Sequence, residues 1–248
     1  MASSSGIDIQ GPPQSAPRRI APLWHTILLI VLLAAFSFGG AHSSHPIARQ
    51  QGLAPQYLSM IIVEWLTFGY VVWGIRRGGV LGVRELIGGR WEKVEDFLLD
   101  VGIATAFWIL SVVVLAACAY PLGIAQHGGN LEEVKRLLGF LVPRTNLEIA
   151  LWFCVAGTAG FCEEIIFRGY IQRQFSTISG YAIVGMLVSA ITFGMAHGYE
   201  GPRRMVLISV YGLLFSALAA MWKSLRPGMM AHAWHDAFTG MMMRVLFR

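Results

Sequence analysis

The chain has 248 residues, of which 55% are hydrophobic and only 13% are charged, and its mean hydropathy is +0.58. That is more apolar surface than one soluble core of this size hides, so lipid is expected to be the main solvent. The net charge of +5 does not point to nucleic acid, because the basic residues are spread thinly between apolar runs instead of gathering on one face.

Residues 1–22 are rich in Ser, Pro, Gly and Gln and carry Arg18-Arg19 near their end. Such a composition cannot bury enough apolar area to fold alone and reads as a disordered cytoplasmic tail. The run Leu23–Ala41 holds no charged residue and is long enough, at about 1.5 Å per residue, to cross a hydrocarbon core of ~30 Å. A cleaved signal peptide is the alternative, although its apolar region usually spans only about 7–15 residues.

Six further spans are expected, at Tyr57–Ile75, Phe97–Tyr120, Asn146–Phe175, Tyr181–His197, Met205–Trp222 and Met229–Phe247. The fold expected is an all-α, polytopic bundle of about seven membrane spans, with residues 23–248 forming one domain. The segment Leu131–Leu141 mixes charged and apolar residues and is too short to cross, so it is expected to lie at the interface. The connection containing Arg76, Arg77, Arg84, Arg90 and Lys93 is the most basic. Short basic loops stay cytoplasmic, which places the N-terminus there too.

Some residues read as structural. Cys118, Cys154 and Cys162 form no C-x-x-C pair and are expected to be reduced packing residues. His42 and His45 flank a polar loop as interfacial residues, and Glu64 and Asp100, each within a span, are read as structural before catalytic.

The fourth span carries Glu163, Glu164 and Arg168 on an otherwise strongly apolar helix. A charged residue at a helix centre costs about 2.5–3.5 kcal/mol on the insertion scale, against a return of about 0.3–0.6 from each large apolar residue. Partners inside the bundle must compensate, which makes such residues functional candidates. Arg168 follows Glu164 by four residues, on the same helix face; that pair alone equally fits an ordinary ion pair at a membrane boundary.

The fifth span ends in Phe193 and His197, one turn apart, with Gly198 able to stop the helix. The seventh begins Pro227-Gly228 and places His232 and Asp236 on one face, with His235 about a turn from His232 on a neighbouring face. Carboxylates and imidazoles from three apolar spans are the residue types that supply a general base, metal ligands or polarising donors.

In the order Glu163-Glu164-x-x-x-Arg168, Phe193-x-x-x-His197 and His232-x-x-x-Asp236, the sequence over about residues 146–247 resembles the type II CAAX prenyl endopeptidases and their bacterial relatives, the bacteriocin-processing or abortive-infection (CPBP) intramembrane proteases. The resemblance implies a multi-pass enzyme of a bacterial plasma membrane, acting on a membrane-embedded or lipid-anchored peptide or protein. Catalytic roles would fall to Glu163, Glu164, Arg168, His197, His232 and Asp236, and substrate contact to Phe193. Glu163 would take a proton from the attacking water, while His197 and His232 would stabilise the oxyanion or join Glu163 in binding a divalent metal such as zinc.

Asp236 stands where the prenyl-protein-processing members carry Asn. An ionised Asp cannot donate a hydrogen bond to an oxyanion, so the residue is left to orient His232, bind a metal or act while protonated. A non-catalytic membrane immunity or assembly factor and a proton-coupled transporter are the competing classes, the latter disfavoured by the lack of an inverted pair of broken helices. Depth is the test: His232 follows Pro227 by only five residues, whereas Glu163 lies mid-span, so a plain up-and-down bundle would separate them.

Overall fold

The computed structural model describes residues 19–42, 52–78, 82–124, 135 and 139–247. These are helical, with no strand among the described residues. The main helices are α1 (Leu23–His42), α2 (Ala54–Gly78), the short α3 (Val83–Ile87), α4 (Val94–Ala119), α5 (Asn146–Ser179), α6 (Ala182–Ala196), α7 (Pro202–Trp222) and α8 (Arg226–Leu246).

Helices α2, α4, α5 and α7 are long and apolar enough to cross a membrane, and α1 and α6 are shorter apolar helices. Helix α8 is long enough at 21 residues, but His232, His235, Asp236 and Arg244 interrupt its apolar character. The expected interfacial helix falls mostly outside the described residues, its last three forming the 3₁₀ turn Gly139–Leu141; His45 also lies outside them. The three cysteines are free.

Helix α5 organises the bundle. Thr145 and Glu148 start it with a reciprocal capping box, Thr145 Oγ1 accepting from the Glu148 N–H at 3.2 Å and Glu148 Oε2 from the Thr145 N–H at 3.0 Å. The other oxygen of Glu148 accepts from the Leu53 N–H at 2.8 Å, tying the start of α2 to the same end. Gly180, at φ 76°, ends the helix in the left-handed conformation.

From Glu164 to Gln172 the helix is wound as a π-helix, and all nine residues are buried. Helix α6 returns along it, so close that Gly185 has no room for a Cβ against Ser176 and the Gln172 carbonyl. Ser189 donates to the Phe167 carbonyl at 2.9 Å.

Helix α8 packs antiparallel to α5. A Cβ on Gly160 would lie 2.7 Å from the Met229 carbonyl oxygen and 2.9 Å from the Ala233 nitrogen. Further along, Trp152 Nε1 donates to the Asp236 carbonyl at 3.0 Å, and Arg244 donates to the Pro143 and Arg144 carbonyls.

The depth difficulty is resolved by the length of α5. Its 34 residues span roughly 50 Å, well beyond a ~30 Å hydrocarbon core. Helix α8 starts partway along it: the Leu225 N–H, one residue before α8, bonds the Ile87 carbonyl of α3 at 3.0 Å, and Leu225 and Leu86 pack beside Gly169. Five residues into α8 therefore corresponds to mid-α5.

Two residues of the expected tail dock on the bundle. Ile20 and Ala21 are buried, and Gln174 Oε1 accepts from both of their N–H groups, at 2.9 and 3.2 Å, while its amide donates to the Ala21 carbonyl at 2.7 Å. Composition hides this docking, because the partner is one polar side chain 153 residues away.

His25 latches α1, α2 and α5 together. Its Nε2–H donates to the Tyr70 carbonyl at 3.0 Å and its Nδ1 accepts from the Tyr170 hydroxyl at 2.7 Å, because a carbonyl can only accept. Asp100 is a second clasp: it accepts from Trp91 Nε1 at 2.7 Å and Trp222 Nε1 at 3.0 Å and pairs with Arg226 Nε at 2.8 Å. These contacts join α4, the end of α7 and the start of α8, a structural role as expected.

Candidate active site

A buried chain of polar contacts begins in the π-helical stretch of α5. Arg168 Nη1 donates to Glu164 Oε1 at 2.9 Å, with both side chains essentially without solvent exposure. Its Nη2 donates to the Gly212 carbonyl of α7 at 3.1 Å, and its guanidinium lies 4.5 Å from the Phe193 ring centre and 5.0 Å from that of Phe215. Cation–π attraction and the ion pair together compensate the desolvated charge.

Glu164 Oε1 also accepts from His232 Nδ1, at 3.1 Å. Paired with Arg168 it is the acceptor, so Nδ1 of His232 carries the proton. The same arrangement, a carboxylate behind an imidazole, fixes the orientation of many functional histidines. His232 Nε2 is left facing Glu163 Oε2 at 3.6 Å and Asp236 Oδ2 at 3.7 Å.

Glu163, Glu164, Arg168, His232 and Asp236 thus meet as one cluster. His197 lines the same cavity from the end of α6. Its Nδ1–H donates to the Phe193 carbonyl at 2.9 Å, leaving Nε2 with the lone pair. Phe193, expected to touch substrate, is 2% exposed. It packs edge-on to Phe167 and His232 and beside His197, so its chief contacts are with the catalytic candidates themselves.

The cavity holds about 550 Å³ and is walled by α1, α2, α5, α6, α7, α8 and the α6–α7 turn, a volume in the ordinary range for ligand sites. It brings in residues that sequence reasoning passed over. Glu64, read as structural, lines it together with Glu163; its signal was a carboxylate in an apolar span. Glu200, paired with Arg204 at 3.8 Å, and Tyr211 also line it. His235 lines it too, its ring beside that of Tyr211 at 4.8 Å.

His197 and His232 were expected either to stabilise the oxyanion or, with Glu163, to hold a divalent metal. Among the described residues no three His, Cys, Asp or Glu side chains converge closely enough to hold a metal ion. The geometry therefore does not fit a preformed three-ligand centre, and the chemistry is derived from the side chains alone.

Residues 145–238 match the family model described as type II CAAX prenyl endopeptidase Rce1-like. Searches of curated proteins and of solved structures return no match. The matched stretch starts at the capping Thr145 of α5 and ends two residues after Asp236, so it contains every motif residue of the cluster. Over residues 145–238 the chain is therefore similar to the Rce1-like type II CAAX prenyl endopeptidases.

Proposed function

We propose that the protein is an intramembrane endopeptidase that hydrolyses a peptide bond in a membrane-associated peptide or protein. The observation that carries this reading is the Glu163–His232–Glu164–Arg168 chain, whose Glu163 and His232 line a cavity of about 550 Å³, on the segment that matches the family model.

In the mechanism, Glu163 takes a proton from water as the water oxygen bonds to the scissile carbonyl carbon, and the carbonyl π pair moves onto its oxygen. Collapse of the tetrahedral intermediate breaks the C–N bond, and the proton held by Glu163 passes to the leaving amine. His232, held by Glu164, presents Nε2 to the attacking water beside Glu163, and His197 lines the same cavity. Arg168 balances the charge of Glu164 and does not touch substrate.

The test uses purified full-length protein in lipid and two quenched fluorescent peptides of Cys-aliphatic-aliphatic-X sequence, one farnesylated and one not. Cleavage of either is expected, with Glu163→Gln lowering turnover by at least about 10³-fold while melting temperature and membrane insertion stay unchanged. Turnover that persists in Glu163→Gln refutes the assignment of the base. Loss of wild-type activity on chelation with rescue by zinc would replace the metal-free route.

A further inference from the structure

The two imidazoles of the cluster leave an electronic gap. His232 and His197 each commit Nδ1–H, to Glu164 and to the Phe193 carbonyl respectively. As neutral rings they offer the cavity only lone pairs. A proton on His232 Nε2 would face Glu163 and Asp236, at 3.6 and 3.7 Å, and be drawn to those carboxylates. An ionised Asp236 has no proton to give. Hydrolysis needs a donor aimed at the oxygen on which charge develops.

Tyr211 on α7 is placed to supply it. The residue is 6% exposed and lines the cavity, and its buried hydroxyl has no hydrogen-bond partner within the protein. A buried hydroxyl left unpaired costs about 1–3 kcal/mol, so its retention calls for a reason. Its ring lies 4.8 Å from that of His235 and 6.2 Å from that of His232, at the side of the cavity where α7 meets α8. The backbone beneath it is fixed, because Arg168 holds the carbonyl of the next residue, Gly212, at 3.1 Å.

We infer that Tyr211 is a catalytic residue whose phenolic O–H donates to the oxyanion of the tetrahedral intermediate, supplying the donor that an Asn at position 236 would otherwise provide. The inference rests on the proteolytic reading. It gives Arg168 a second consequence: by binding the Gly212 carbonyl it sets the position of the donor as well as neutralising Glu164.

The experiment is Tyr211→Phe in the full-length protein, assayed with the same two peptides. Removing one oxyanion donor costs about 10²–10³ in kcat, so kcat is expected to fall by that factor with KM within about twofold. The melting temperature should hold or rise, because the change deletes an unpaired hydroxyl. A peptide aldehyde of the same sequence, whose hydrate mimics the tetrahedral intermediate, should bind the variant more weakly by a factor close to the loss in kcat. Unchanged kcat, or a lowered melting temperature with unaltered aldehyde affinity, overturns the role. If wild-type protein cleaves and Tyr211→Phe cleaves equally, this inference fails and the proteolytic reading stands; if wild-type protein cleaves neither peptide, both fail.

Discussion

Arg168 heads the fully buried side chains by volume, an unusual rank for a residue that is always charged. Its burial is sustained by Glu164, by the Gly212 carbonyl and by the faces of Phe193 and Phe215. Removing one member of a buried pair strands the other charge at a cost of about 3–5 kcal/mol. Arg168→Met should therefore lower the melting temperature sharply, and Glu164→Gln with Arg168→Met should recover part of the loss, as a double-mutant cycle in detergent would show.

At this scale the sequence was informative wherever a charge sat in an apolar run. Glu163, Glu164, Arg168, His197, His232 and Asp236 all stood out that way; Glu163, His197, His232 and Asp236 line one cavity, and Glu164 and Arg168 lie buried behind His232. Glu64 stood out equally, but whether a carboxylate on one face of a helix meets another side chain depends on helix rotation, which its own segment does not set. Tyr211 could not stand out. A tyrosine in an apolar helix is ordinary packing until its hydroxyl is found without a partner, and that is a property of the assembled bundle.

Among the elements, α5 departs most from a simple span. Its length, its π-helical winding at Glu164–Gln172 and the start of α8 beside its middle explain how His232 reaches Glu164 from only five residues after Pro227. The apolar pattern located both helices, but it could not show that α8 begins at depth, because relative height is set by contacts such as Gly160 with Met229 and Ala233. Those contacts are with backbone and cannot yield without moving the helices apart. Gly160→Ala should shift His232 relative to Glu164 and, since a misplacement of about 1 Å can cost ~10²-fold, reduce kcat on that order. Gly157→Ala, with open space around the added carbon, should leave kcat unaltered in the same assay.

Across the whole molecule, the cavity is built from distant segments. Glu163 lies on α5, His197 caps α6, His232 lies on α8, and part of the wall is on α1 through Leu33, Phe36 and Ser37. Helix α1 is fastened at one end by Gln174 and His25 and at the other by Ser37 Oγ, which accepts from the Tyr199 N–H at 3.3 Å. Beginning the chain at Pro22 instead of Arg19 strips the Gln174 amide of its partners and should destabilise the fold by about 1–3 kcal/mol, read by thermal unfolding of the two truncations.

The first apolar run therefore has a use that a discarded leader would not. Were a peptidase to clip the chain beyond His42, lipid tails would have access to the space that α1 vacates beside the cavity of Glu163. Loss of the amino-terminal helix would then change the cavity without touching a single motif residue.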